Sequence, residues 1–268
     1  MTETFKVYAI KYGTHARLAS RNFMNPPDPH DAPYPIDYFI WACVSETRTV
    51  VIDTGFTKQA AESRGRTWYR CPIDSLGLVG IDPANVKDVI ITHMHYDHGG
   101  NLDKFPTAKF HIHDREMAYA TGRYMRYPVL RHSYDVDDVC GLIRELYQDR
   151  VEFHMGDGEL SPGLSLHHVG GHTDGMMLVR VMTERGWVVL ASDAMHLYAN
   201  WVGKNPYPTV LHIGDMMEGH RKVERLAQMP DHVIPGHDPR VMELYPAPST
   251  DLDGIVARLD VPPTGTPR

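Results

Sequence analysis

Apolar positions along the chain gather in short runs, several of them with a period of two. Residues Phe5–Tyr12 alternate, which predicts a first strand. Ile36–Val44 and Thr47–Ile52 read as further strands, the second running into Asp53-Thr54-Gly55. Val86–Thr92 is almost continuously apolar, as in a strand covered on both faces. Phe110–His113 predicts another short strand, and Val233-Ile234 a last one. Leu178–Met182 and Trp187–Ser192 flank Thr183-Glu184-Arg185-Gly186, the pattern of a hairpin. Helical spacing runs over Asp114–Arg123, Asp135–Arg150 and Asp215–Met229, the second with an aspartate at its start. Asn25–Tyr34 (NPPDPHDAPY) is a loop by its turn chemistry.

Strands and helices alternate, and apolar strands need cover on both sides, so an α/β fold with sheets between helices is expected. No internal repeat, low-complexity run or linker interrupts residues 1–268, which predicts a single domain. Its 268 residues, 42% hydrophobic and 23% charged, are ordinary for a globular chain with a substantial core. The formal net charge of -7, without a basic stripe, argues against a nucleic-acid partner. The opening MTETFKVYAIKYG lacks the flank and apolar core of a secretory signal, and no segment has the length and apolarity of a membrane span. Cys43, Cys71 and Cys140 are too scattered for a disulfide framework, so a reducing cytoplasm is the expected location.

Histidine changes the picture: there are 17. Val89-Ile90-Ile91-Thr92-His93-Met94-His95-Tyr96-Asp97-His98-Gly99-Gly100 places four metal-ligand side chains directly behind a buried strand. His93 and His95 are two apart and face one way in extended backbone. Adjacent Asp97 and His98 suit a tight turn that presents two donors in another direction. The segment therefore supplies two donor pairs to two neighbouring points. Two ions sharing it need further donors, because zinc takes at least four including water. His172 in Gly170–Gly175, Asp193 directly after Val188–Ser192, and His237 after Val233-Ile234 are the candidates.

In that order, His93-Met94-His95-Tyr96-Asp97-His98, His172, Asp193 and His237 resemble the successive motifs of the metallo-β-lactamase superfamily, and Asp53-Thr54-Gly55 resembles its early aspartate motif. The resemblance spans roughly Asp53 to His237. It implies an αβ/βα four-layer sandwich of two mixed sheets between helices, and two divalent ions per chain, zinc foremost. By similarity His93, His95 and His172 hold the first ion, Asp97, His98 and His237 the second, and Asp193 bridges. Asp53 then orients ligands by hydrogen bonds. Asn101–Pro106 and Pro235–Pro239 resemble the N-acyl homoserine lactonase-like branch, which also points to a homodimer. That branch commonly carries a tyrosine three residues after the bridging aspartate, thought to assist the substrate carbonyl. Here His196 stands there, and His196 or Tyr198 is expected to take the role.

The resemblance implies hydrolysis of a lactone or related carboxylic ester by water activated between the two cations, with Asp97 or Asp193 shuttling the proton. The same pair of cations suits a phosphodiester or phosphotriester, for which Arg66, Arg70, Arg123, Arg126 and Lys204 are candidate clamps. A metal-binding protein without turnover is a third reading, opposed by the complete ligand set. Trp41, Trp68, Trp201, Tyr207 and Tyr124–Tyr127 are candidates for an apolar pocket or cap, with ordinary packing as the alternative. His111, His113, His167 and His168 are expected to be structural, and Met176-Met177 and Met216-Met217 to pack in the core or line a pocket.

Overall fold

The computed structural model describes residues 2–26, 28 and 31–266. Among these described residues, thirteen strands form two mixed sheets. In chain order they are β1 (Lys6–His15), β2 (Ile36–Val44), β3 (Thr49–Ile52), β4 (Thr67–Trp68), β5 (Asp88–Ile90), β6 (Lys109–His113), β7 (Val151–His154), β8 (Gly158–Ser161), β9 (Leu164–His168), β10 (Met177–Thr183), β11 (Gly186–Leu190), β12 (Val233–Ile234) and β13 (Val256–Arg258). The larger sheet runs β13-β1-β2-β3-β5-β6-β7, with β4 added beside β1, and the smaller runs β12-β11-β10-β9-β8. Helices α1 (Lys58–Arg64), α2 (Asp114–Ala120), α3 (Pro128–Arg131), α4 (Val136–Leu146), α5 (Tyr198–Val202), α6 (Ile213–Leu226) and α7 (Arg240–Leu244) connect and cover them.

Alternation in β2 shows how the layers are specified. Phe39, Trp41 and Cys43 enter one apolar core with Val179, Val181 and Val188 of the smaller sheet. Ile36, Tyr38, Ile40 and Ala42 point the other way, into a second core with Ala60 and Ala61 of α1 and Val139 and Leu142 of α4. Period-two side chains on a pleated strand allow nothing else once both faces are covered. Val223 of α6 closes the opposite side of the smaller sheet. The result is the expected αβ/βα sandwich of two mixed sheets.

Several sequence-predicted elements shorten. The buried run Val86–Thr92 forms a strand only at Asp88–Ile90, because the residues beyond it leave the ladder to build a loop. The helix expected over Asp135–Arg150 is Val136–Leu146, with Asp135 capping the Asp137 amide through its side chain. The expected loop Asn25–Tyr34 has neither helix nor strand at its described residues, while Pro27, Pro29 and His30 lie outside them. Strands β9 and β11 both run antiparallel to β10, and β12 runs parallel to β11, so β9, β11 and β12 end at one edge. The donors sought from the sequence follow those ends.

On the first turn of α4, burial pushes the Asp138 carboxyl up to about 7, Asp135 and Asp137 adding to it and Arg64 opposing. A carboxyl raised in the folded state stabilises while protonated, and that contribution is lost as pH rises from its unfolded value through about 7. Asp138→Asn is expected to raise Tm, by more at about pH 8 than at about pH 5. Equal shifts at both would show that the carboxyl is not held up.

Candidate metal centre

The loop after β5 is fastened at both ends by one carboxylate. The Thr92 amide donates to Asp53 Oδ1 at 2.8 Å and the Thr92 hydroxyl to Oδ2 at 2.9 Å. His98 Nδ1 lies 2.7 Å from the same Oδ2. Asp53 itself sits at φ 60°, a left-handed conformation unusual outside glycine. Ser192, just before Asp193, is also left-handed at φ 46°. Gly236 makes room for that turn, since a Cβ there would stand 2.6 Å from the Ser192 carbonyl oxygen. Strained backbone of this kind collects where surrounding structure dictates side-chain aim.

Seven side chains converge, all buried, with Asp97 the most accessible at 8%. His93 Nε2 is 3.1 Å from His95 Nδ1, which is 2.9 Å from His172 Nε2. Asp193 Oδ2 completes this group, 3.1 Å from His172 Nε2 and 3.8 Å from His93 Nε2. The other oxygen, Oδ1, faces a second group, 2.8 Å from His237 Nε2 and 3.3 Å from His98 Nε2. Asp97 Oδ2 lies 3.7 Å from His98 Nε2 and 3.8 Å from His237 Nε2. One carboxylate thus turns an oxygen to each group.

The outer ring nitrogens decide what the inner ones can do. His172 Nδ1 lies 2.7 Å from the Thr209 carbonyl oxygen and His237 Nδ1 2.8 Å from that of Asp37. A carbonyl only accepts, so both Nδ1 atoms carry the proton. In the neutral rings each Nε2 then turns a lone pair inward, toward carboxylate oxygens that also bring lone pairs. His98, bound through Nδ1 to Asp53, adds a third, and its Nε2 and Asp193 Oδ1 are buried without a hydrogen-bond partner. Such an arrangement calls for cations. A tetrahedral zinc with bonds near 2.0–2.1 Å holds its donors about 3.3 Å apart, close to the spacings here. The donor set fits: His93, His95, His172 and Asp193 can hold one ion, and Asp97, His98 and His237 another.

Electrostatics without a cation tell the same story. Burial and the neighbouring imidazoles hold His93 and His95 well below the usual histidine range, the neutral form that ligation requires. Burial would lower His98 too, but Asp193, Asp53 and Asp97 outweigh it and hold it well above. Beside the carboxylates, His98 and His237 are thus shifted toward binding a proton, the smallest cation available to them.

One contributor escaped the sequence. Glu116, on α2, is fully buried, and its oxygens accept from four donors. Oε1 takes the Met94 amide at 3.0 Å and the Tyr134 hydroxyl at 2.9 Å. Oε2 takes the Thr173 hydroxyl at 2.6 Å and the Gly175 amide at 3.2 Å. It therefore ties the His93–His95 loop to the loop carrying His172, and Tyr134 in turn packs edge-on against His95 at 4.7 Å. A lone glutamate in a helical run gives no sequence signal for this.

His196 joins the cluster, its Nε2 2.9 Å from Asp193 Oδ2. Tyr198 does not. It opens α5 with its backbone amide on Asp238 and its ring in the inter-sheet core, because the two residues after His196 turn the chain away. Trp41 and Trp201 are core residues and Trp68 packs against the second core, and none of the three lines the cleft over the cluster. Tyr207 does line the cleft over the cluster, its ring stacked on His196 at 3.8 Å. Of the candidate phosphate clamps only Arg66 borders that cleft, joined by Arg17 and Arg64. Tyr124 and Tyr127 lie exposed outside it. His111 sits between His154 and Asp88, each 3.0 Å away, a structural arrangement.

Paired mixed sheets with a buried histidine–aspartate cluster at their strand ends define a class, and comparison gives it a name. The metallo-beta-lactamase superfamily model matches residues 37–237, and the chain belongs to that superfamily. It is 27% identical over 264 residues to the N-acyl homoserine lactonase AttM of Azorhizobium caulinodans, covering 87% of this chain and 93% of the relative. An N-acyl homoserine lactone hydrolase, solved with N-hexanoyl-L-homoserine at its catalytic metal center, superposes with a TM-score of 0.72 at 20% identity, covering 89% and 94% of the two chains. The dizinc quorum-quenching lactonase AidC superposes at 0.67 with 16% identity, covering 89% of each.

Asp193→Ala is expected to abolish turnover and lower metal content. Asp53→Ala should keep most of the metal and cost about 10–100-fold in activity, as for a residue that orients a ligand. Equal losses, with both variants retaining metal, would show that Asp193 does not bridge.

Proposed function

We propose that this metal-dependent hydrolase opens a lactone ring at a dinuclear centre, with His93, His95 and His172 on one ion, Asp97, His98 and His237 on the other, and Asp193 between them. The observation that carries the reading is Asp193, whose two oxygens face two separate histidine groups. The lactonase names of relatives matched over most of both chains support the substrate class. We read the chain as one catalytic unit, because the site draws on both sheets. Three unpaired cysteines agree with a reducing cytoplasm.

When bound, two divalent cations, zinc first among them, lower the pKa of a shared water and polarise the ester carbonyl. The protein's own side chains do the rest. Asp97, the most accessible of the cluster, borders the cleft and takes the proton from the incoming water. Returned to the ring oxygen, that proton completes cleavage of the acyl C–O bond. Asp193 stays ionised: burial opposes this, but His196, His237 and His98 together hold it well below the usual carboxylate range.

The carbonyl helper is Tyr207. Burial raises its phenol above the ordinary value, so it remains a proton-bearing donor at neutral pH. His196 serves it from behind, stacked on its ring at an interplanar angle of 6° while bonded to Asp193. Tyr207 therefore comes to the cleft from a different part of the chain than in relatives with a tyrosine three residues past the aspartate.

Two measurements test this. Lactone opening should exceed hydrolysis of an aryl phosphodiester by at least about tenfold in kcat/KM, and a preference for the phosphodiester would refute the lactonase reading. Tyr207→Phe should lower kcat about 100-fold with little change in KM, as on loss of one donor to a developing oxyanion. Tyr198→Phe, in the core, should leave kcat nearly intact.

A further inference from the structure

The cleft over the metal cluster is small and its wall is cationic. It encloses about 80 Å³, far below the several hundred of a site for a drug-sized ligand. Arg17, Arg64 and Arg66 all border it. The Arg64 guanidinium lies 4.1 Å over the ring of Tyr96, the residue between His95 and Asp97, and Arg66 Nε donates to the Tyr96 hydroxyl at 3.0 Å. Arg17 lies 5.1 Å over the ring of Tyr207, which stacks on His196. Each guanidinium is thus one aromatic ring away from the cluster.

None of the three has a carboxylate partner among the described residues. Arg64 donates to the carbonyls of His132 and Tyr134 at 2.7 and 3.0 Å. Arg66 donates to the Arg64 carbonyl at 2.7 Å and faces His15 Nε2 at 3.1 Å. Arg17 donates to the Asn22 side chain at 2.7 Å and to the Arg21 carbonyl. These acceptors fix the planes of the guanidiniums without forming an ion pair; Asp138 acts on Arg64, and Asp97 of the cluster on Arg66, only through space. Elsewhere Arg115, Arg150, Arg185 and Arg258 each meet a carboxylate. The acids bordering the cleft, Asp97 and Asp193, sit in the cluster, where the cations claim them. Three like charges around a small cleft repel, and an anionic ligand relieves them.

We infer that the substrate is a small lactone bearing a carboxylate, its ring carbonyl at the metal cluster and its carboxylate on Arg17, Arg64 and Arg66. This rests on the lactonase reading and narrows it. A long neutral acyl chain gains nothing from guanidiniums, and the cleft's apolar lining is confined to Ile36 and three tyrosines. Water adds across the acyl C–O bond, hydroxyl to the carbonyl carbon and proton to the ring oxygen. The product is an open hydroxy-dicarboxylate, and its new carboxyl releases one proton at neutral pH.

Paraconate, a five-membered lactone with a ring carboxylate, and its neutral amide are matched probes, followed by proton release from the metal-loaded protein. Paraconate should be favoured by at least about tenfold in kcat/KM, the scale of a charge-assisted fork on arginine. Arg66→Gln and Arg17→Gln should each erode that ratio several-fold, mainly through KM for the acid. Two variants from different segments guard against misfolding of either, which circular dichroism checks. Calorimetry supplies a second readout: the ring-opened product, itamalate, should bind wild type and weaken with added salt and in both variants. If the amide opens as fast as the acid, and the ratio ignores both arginines, the inference is overturned while the lactonase reading stands. If neither lactone opens and bis-nitrophenyl phosphate is hydrolysed, both fall together.

Discussion

Lone pairs facing lone pairs in a dry interior are the constraint on which the rest of this structure turns. His172 and His237 commit their outer nitrogens to backbone carbonyls, and His98 commits its own to Asp53. Their inner nitrogens then meet Asp193 and Asp97, which can only accept while ionised. Removed from water, such a set is strongly unfavourable unless cations enter it. The left-handed turns at Asp53 and Ser192, and the bare Gly236 against the Ser192 carbonyl, exist to hold that set in place. Glu116 does similar work from the far side, gathering two loops with four hydrogen bonds.

The fold explains why the donors lie so far apart in sequence. Strands β9, β11 and β12 end at one edge of the smaller sheet, and β5 ends in the larger sheet close by. Each contributes the residues just past its end, where backbone is released from the ladder and free to turn. Side chains on rigid strand ends hold their aim better than side chains within long loops. Above the cluster the wall changes character, from histidine and aspartate to tyrosine and arginine. On the reading proposed here, the inner layer supplies the hydrolytic chemistry and the outer layer a preference for charge and size.

Much of this was legible in the sequence for physical reasons. The motif His93–His98 compresses four donors behind an apolar run, and β2 and β12 appeared with their observed bounds, β12 as a bare apolar pair and β2 as an apolar run interrupted only by Asp37. The convergence of His172, Asp193 and His237 followed from their positions after short strands. Illegible were features that depend on the third dimension. Glu116 looks like any helical glutamate, and Arg17 and Arg64 like surface charge, until the loops close around them. Tyr198 was the alternative to His196 near the position where the branch carries a tyrosine, but the turn into α5 carries its ring into the core. Tyr207, expected from the sequence as a pocket-lining residue, does line the cleft, and what the sequence did not suggest is the carbonyl-assisting role proposed for it. The tryptophans, expected near a pocket, went to the packing that large apolar rings usually serve.

The central claim is that two cations sit on either side of Asp193. Anomalous diffraction at the zinc edge, from crystals of protein loaded with zinc, tests it most directly. Two peaks about 3.5–4 Å apart are expected, one among His93, His95 and His172 and the other among Asp97, His98 and His237, with Asp193 reaching both. A single peak, or none after metal loading, would contradict it.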